Sequence, residues 1–231
     1  MEQFFAWVKQ LRFDNLLDMG ILVLAAVLSI TIHETCHGLT AWWLGDPTAK
    51  RAGRLTLNPL KHIDLVGLVL LAVAKFGWAK PVPVDMRYFR NPKWGMALTA
   101  LAGPLSNVLL ALAALLVRSV LLVVLINRGG SDILDYAILL TEYLAIISSG
   151  LAVFNIIPIP PLDGSKILAA ILPDRAYVTL MRFERYGMIL LAILLLSNVI
   201  DGPLSTMRQG ILDLLISVAE IPFYGLMKLF P

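Results

Sequence analysis

Runs of about 20 apolar residues, nearly free of charge, recur along this chain. Nothing else in it limits the fold as strongly. Clear runs cover residues 19–44, 94–126 and 134–157, with further candidates at 186–200 and 210–230. Hydrophobic residues make up 58% of the 231, while Asp, Glu, Lys and Arg supply 15%. A soluble domain carries about 25% charged residues. A soluble globule of this length cannot hide so much apolar surface, because much of any small domain faces water. The composition therefore excludes a soluble enzyme and a disordered chain. A single cysteine, Cys36, excludes an intramolecular disulfide. The fold class expected is an all-α polytopic membrane protein with about five transmembrane helices.

The segments between the runs add detail. Residues 1–18 mix Phe4, Phe5, Trp7 and Leu11 with charge and read as an interfacial segment. The start lacks the basic-then-apolar order of a cleavable signal peptide. Residues 65–74 are apolar but too short to cross, so a re-entrant segment is expected there. Stretches 54–57 and 78–85 suggest short strands, giving a membrane-edge β-sheet or hairpin. Pro81 and Pro83 would remove donors from one of its edges. Residues 19–172 then form a membrane core, and 173–231 form accessory C-terminal helices.

Net charge is +3 and the isoelectric point about 9.1. Nine lysines and arginines lie between residues 45 and 93, whereas the 127–135 loop has Arg128 against Asp132 and Asp135. Such asymmetry marks cytoplasmic loops rather than a nucleic-acid surface. It puts 45–93 in the cytoplasm, the N-terminus outside and the C-terminus inside. The expected partners are the lipid bilayer and no nucleic acid; self-association is left open.

Ionisable groups inside an apolar span are costly and are functional candidates by default. The first span holds His33-Glu34-Thr35-Cys36-His37. Two histidines four residues apart share a helix face and can chelate one cation. Glu34 beside them can take a proton from water, which is the HExxH logic of zinc peptidases. Structural histidines are the plainer alternative, but three adjacent polar groups in a span need a reason. A catalytic zinc takes a third protein ligand. The chain has one other histidine, His62, so the third ligand is His62, Cys36 or an acid. Cys36 would crowd three ligands onto five helical residues, and His62 reads as a loop residue. Asp163 is the strongest candidate: it follows the proline cluster 158–161 and precedes Gly164. Its plainer role is a helix N-cap.

The sequence resembles the site-2 protease family of intramembrane zinc metalloproteases. The resemblance rests on HETCH at 33–37, GRLTLNPLKHID at 53–64, FGWAKPVPVD at 76–85, LAGPLSN at 101–107 and NIIPIPPLDG at 155–164. These pieces occur in the family's order and cover most of residues 30–170. The resemblance implies that His33, His37 and Asp163 hold one zinc ion and that Glu34 activates water. It implies further that Asn107 helps to position or polarise the scissile carbonyl, although an interhelical hydrogen bond would also account for that residue. Asn155 is a weaker candidate, next to the proline break. Many relatives carry an inserted peptide-binding or nucleotide-sensing domain, for which this chain has no room. The implied substrate is a transmembrane protein, and the size and minimal form point to a bacterial inner membrane. Two other classes compete with the enzyme. A metal transporter would spread ligands along a path, and an inactive scaffold would bind no metal.

Overall fold

The computed structural model describes residues 16–64, 80–197 and 199–228, and these are mostly helical. In order the helices are α1 (Leu16–Trp43), α2 (Thr48–Arg51), α3 (Pro92–Arg128), α4 (Asp132–Ile156), α5 (Asp163–Ile171), α6 (Asp174–Leu196) and α7 (Asp201–Met227). Short 3₁₀ turns occupy Pro59–Lys61 and Met86–Tyr88. Residues 1–15 of the interfacial segment and the expected re-entrant stretch 65–74 lie outside the described residues.

Three helices, α1, α3 and α4, are long and apolar enough to cross a membrane. The apolar part of α6 is Arg185–Leu195, about 17 Å of helix against a hydrocarbon core of about 30 Å. The run expected at 186–200 is not among these three, and its helix as a whole runs from Asp174 to Leu196. The run at 210–230 falls within the longer α7, which begins at Asp201.

No strand occurs among the described residues. Residues 55–57 bend and 80–85 run without regular structure. The sequence suggested a hairpin here, with Trp78 now outside the described residues. One backbone bond, Lys80 N–H to the His62 carbonyl at 2.9 Å, ties this stretch to the preceding loop, where Ile63 is an isolated bridge residue, and a side chain adds to it. Arg54 Nη2 donates to the carbonyls of Lys80 (2.6 Å) and Pro81 (3.3 Å). Prolines at 81 and 83 leave too few N–H groups for a ladder.

The chain divides into two compact units. Among the described residues, one comprises 16–29, 107–154, 192–197 and 199–228. Its core is built on small residues: Ala111, Ala114, Ala145 and Ala219 are buried with Leu115 and Leu215. Small side chains let helices approach closely, which is the usual basis of association in lipid. Ser119 Oγ donates to the Ala219 carbonyl at 2.8 Å, and Ser29 and Ser148 hydroxyls meet at 2.8 Å. A cluster around Ala25 and Tyr143 includes Ile21, Leu22, Leu139 and Leu140.

These contacts fix directions. Helices α3 and α4 are joined by a short turn and run antiparallel. Ala219 of α7 meets Ser119, near that turn, while a side-chain atom at Gly150, far down α4, would lie 3.9 Å from Arg208. Hence α7 runs towards the turn, parallel to α3. By the same reasoning α1 starts at the turn end, beside the first part of α4. The start of α1 and the end of α7 thus lie at one end of this unit. Charge counting had placed the termini on opposite faces, on the premise that residues 186–200 cross.

The other unit comprises, among the described residues, 30–64, 80–106 and 155–191 and contains the HETCH segment, the start of α3, and α5. Pro158 stops α4 at Ile156, since proline cannot continue the ladder and its predecessor avoids helical geometry. The Pro160–Pro161 bond is cis. A Leu162 N–H to Ile159 carbonyl bond of 2.9 Å closes the turn that starts α5 at Asp163.

Candidate metal centre

The last turns of α1 present His33 and His37 on one face, as their spacing requires. The turn after α4 brings in Asp163 from 130 residues away. His33 Nε2 lies 3.1 Å from Asp163 Oδ2, His37 Nε2 lies 3.1 Å from the same oxygen, and the two Nε2 atoms are 3.0 Å apart. All three residues are buried. Among the described residues they form the one His/Cys/Asp/Glu group that could hold a metal ion.

Two surrounding features shape this triangle. His37 Nδ1 lies 2.7 Å from the Thr99 carbonyl, which can only accept, so Nδ1 carries the proton and donates. The lone pair of His37 is thereby fixed on Nε2, facing His33 and Asp163. One turn further along α3, a side chain at Gly103 would begin 2.4 Å from His37 Cε1 and 2.6 Å from His33 Cε1. Only glycine leaves room for the two rings. The aspartate has its own constraint at Gly164, where a Cβ would lie 2.1 Å from the Ile156 carbonyl oxygen. The LDG turn therefore packs backbone on backbone. On the outer side of Asp163, Lys166 Nζ stands 3.8 Å from Oδ1.

Glu34 lies on the same helix, half-buried, and its Oε2 accepts the Val82 N–H at 2.9 Å. Of the other third-ligand candidates, neither joins the metal-binding group. Cys36 is half-buried with a free thiol. His62 is fully buried with Nε2 2.9 Å from the Thr56 carbonyl, so that nitrogen donates to the backbone. Asn107 is fully buried but belongs to the other compact unit, and Asn155 is half-buried at the end of α4. Sequence reasoning missed Thr99 and Gly103. A backbone carbonyl leaves no mark in a sequence, and Gly103 lay within LAGPLSN, whose site candidate was Asn107. Beyond the site, hydrogen bonds from the Arg87 side chain and backbone hold the half-buried Asp85 carboxyl below the usual carboxylate range.

Residues 123–197 match the profile described as Peptidase family M50. A Bacillus subtilis (strain 168) protein named "Putative zinc metalloprotease YwhC" is 36% identical over 210 residues, covering 87% of this chain and 94% of that protein. The chain belongs to peptidase family M50, the site-2 protease family. Proteins named "Putative zinc metalloprotease Rip2" resemble this M50 chain less closely. That of Mycolicibacterium smegmatis is 27% identical and that of Mycobacterium tuberculosis (H37Rv) 29%, each over 208 residues. Those matches cover 85% of this chain and about three quarters of the relatives. No solved structure gives a significant match. As an M50 member with three membrane-length helices, the chain is an integral membrane peptidase.

Proposed function

We propose that this M50 protein is an intramembrane zinc metalloprotease that hydrolyses peptide bonds within transmembrane segments of other membrane proteins. The observation that carries the reading is the triangle of two imidazole nitrogens and one carboxylate oxygen, with sides of 3.0–3.1 Å. Ligand atoms around a tetrahedral zinc, at about 2.0–2.1 Å from it, stand about 3.3 Å apart. The donor set suits zinc: two neutral nitrogens and a hard oxygen from three residues, which leaves a fourth position for substrate or water. His33, His37 and Asp163 would hold one ion, with His37 already in the required tautomer. Zinc bound there supplies Lewis acidity towards water and a peptide carbonyl.

Glu34 then takes the proton of the attacking water on its carboxylate and returns it to the leaving amine nitrogen. Asn107 is assigned to the carbonyl oxygen of the substrate, which its amide N–H would hold as negative charge develops. Convergence of the ligands on one point favours catalysis over a transport path. We assign the protein to a bacterial inner membrane with the basic 45–93 region in the cytoplasm. The test is metal analysis of purified protein together with cleavage of a single-span test peptide. Wild type should contain zinc and cleave; Glu34→Gln should retain zinc and fail to cleave. Cleavage by Glu34→Gln, or a wild type without bound metal, would overturn the assignment.

A further inference from the structure

The backbone segment beside Glu34 has few donors. Within residues 80–83 only Lys80 and Val82 carry an N–H, because positions 81 and 83 are proline. The protein uses both. Lys80 N–H donates to the His62 carbonyl at 2.9 Å, and Val82 N–H donates to Glu34 Oε2 at 2.9 Å. The position of the Val82 amide therefore depends on what holds Lys80.

Two residues with buried polar side chains do so, Arg54 through its guanidinium and His62 through its carbonyl. Arg54, 7% exposed, clamps the Lys80 and Pro81 carbonyls through one guanidinium nitrogen. His62, 1% exposed, donates from Nε2 to the Thr56 carbonyl, which also accepts the Thr35 hydroxyl at 2.9 Å. Thr35 is the helical neighbour of Glu34. The loop 54–62 is thus anchored to α1 one residue from the base, and its own carbonyl anchors the segment that reaches that base. Burying a guanidinium and an imidazole is costly unless they are well used. Neither belongs to the metal-binding group.

We propose that Arg54 and His62 are positioning residues for Glu34, acting through the Lys80–Val82 backbone to hold one carboxylate oxygen and leave the other for the proton transfer. The inference rests on the reading of Glu34 as the base. It also means that a substrate strand cannot borrow the Val82 amide without releasing Glu34.

The test uses full-length zinc-loaded protein in lipid nanodiscs with a single-span peptide substrate. It measures kcat, KM, zinc content and the Glu34 carboxylate band, isolated as the wild type minus Glu34→Gln infrared difference. His62→Gln keeps an N–H near the place of Nε2, whereas His62→Asn is too short to reach Thr56. The expected result is a loss of kcat by about 10- to 100-fold in His62→Asn and Arg54→Gln, since small misplacements of reacting groups have effects of that size. KM should stay within about threefold, zinc content should not change, and the Glu34 band should shift. His62→Gln should stay within about threefold of wild type in kcat. Should His62→Asn fail to fold, Arg54→Lys against Arg54→Gln carries the same comparison, with Lys the more active. Equal kcat within each pair, or lost activity with an unmoved Glu34 band, would overturn the inference while leaving the base assignment intact. Cleavage by Glu34→Gln would instead remove the base assignment and this inference with it.

Discussion

At Gly103 a missing side chain matters more than most side chains present. The two imidazoles fill the space that a Cβ would occupy, at 2.4–2.6 Å. Gly103→Ala should therefore displace the rings and weaken zinc binding by about 10- to 100-fold, the range found when the surroundings of metal ligands are disturbed. Competition with a chromophoric chelator measures this; unchanged affinity would show that the rings can move without loss. At Gly164 the obstacle is a backbone carbonyl, which cannot rotate away. Gly164→Ala should cost roughly 1–3 kcal/mol in stability, as overpacking does, and thermal unfolding in detergent checks it. The His33–His37 pair was legible because helical spacing states it outright. Asp163 was legible as a candidate through its place after the proline cluster. Thr99 was not legible, because its contribution is a carbonyl oxygen that every residue has.

Elements were legible where one physical rule governs them. Apolar length marked α1, α3 and α4, and Pro158 marked the end of α4. The hairpin expected from 54–57 and 78–85 has no strand among its described residues. Extended pattern in 54–57 and 78–85 signalled chain that is not helical, and residues 80–82 are held by the His62 carbonyl, the Arg54 side chain and the Glu34 carboxylate. Asp46 serves the other end of this stretch: fully buried, it accepts the Thr48 N–H at 2.9 Å, the Thr48 hydroxyl, and the Asp85 N–H at 2.7 Å. Asp46→Ala strands these donors and should destabilise the fold by roughly 1–3 kcal/mol. By contrast, Ser148→Ala removes one hydroxyl pair between helices and should cost about 0.6 kcal/mol, the mean for such bonds in lipid. Equilibrium unfolding of both variants tests the ranking, and the reverse order would contradict it.

For the whole molecule, hydropathy named a membrane protein, and charge counting set its helix directions from the number of expected crossings. Direction follows from which residues touch, and Ser119 with Ala219 decides it for α7. If α7 crosses the bilayer, single cysteines replacing Gly130 and Met227 should react with an impermeant thiol reagent from the same face. Labelling from opposite faces would mean that α7 does not run parallel to α3. Metal binding should also couple the distant segments of the site, since Asp163 lies 130 residues from His33. Removing zinc should therefore lower the unfolding temperature, by the linkage between ligand binding and stability.

The most direct measurement is zinc stoichiometry in purified wild type, Glu34→Gln and Asp163→Ala, each beside its cleavage of a transmembrane test peptide. The expected result is one zinc per chain with cleavage in wild type, one zinc without cleavage in Glu34→Gln, and neither in Asp163→Ala. Zinc retained at full affinity in Asp163→Ala, or cleavage by Glu34→Gln, would contradict a centre built from His33, His37 and Asp163 with Glu34 as its base.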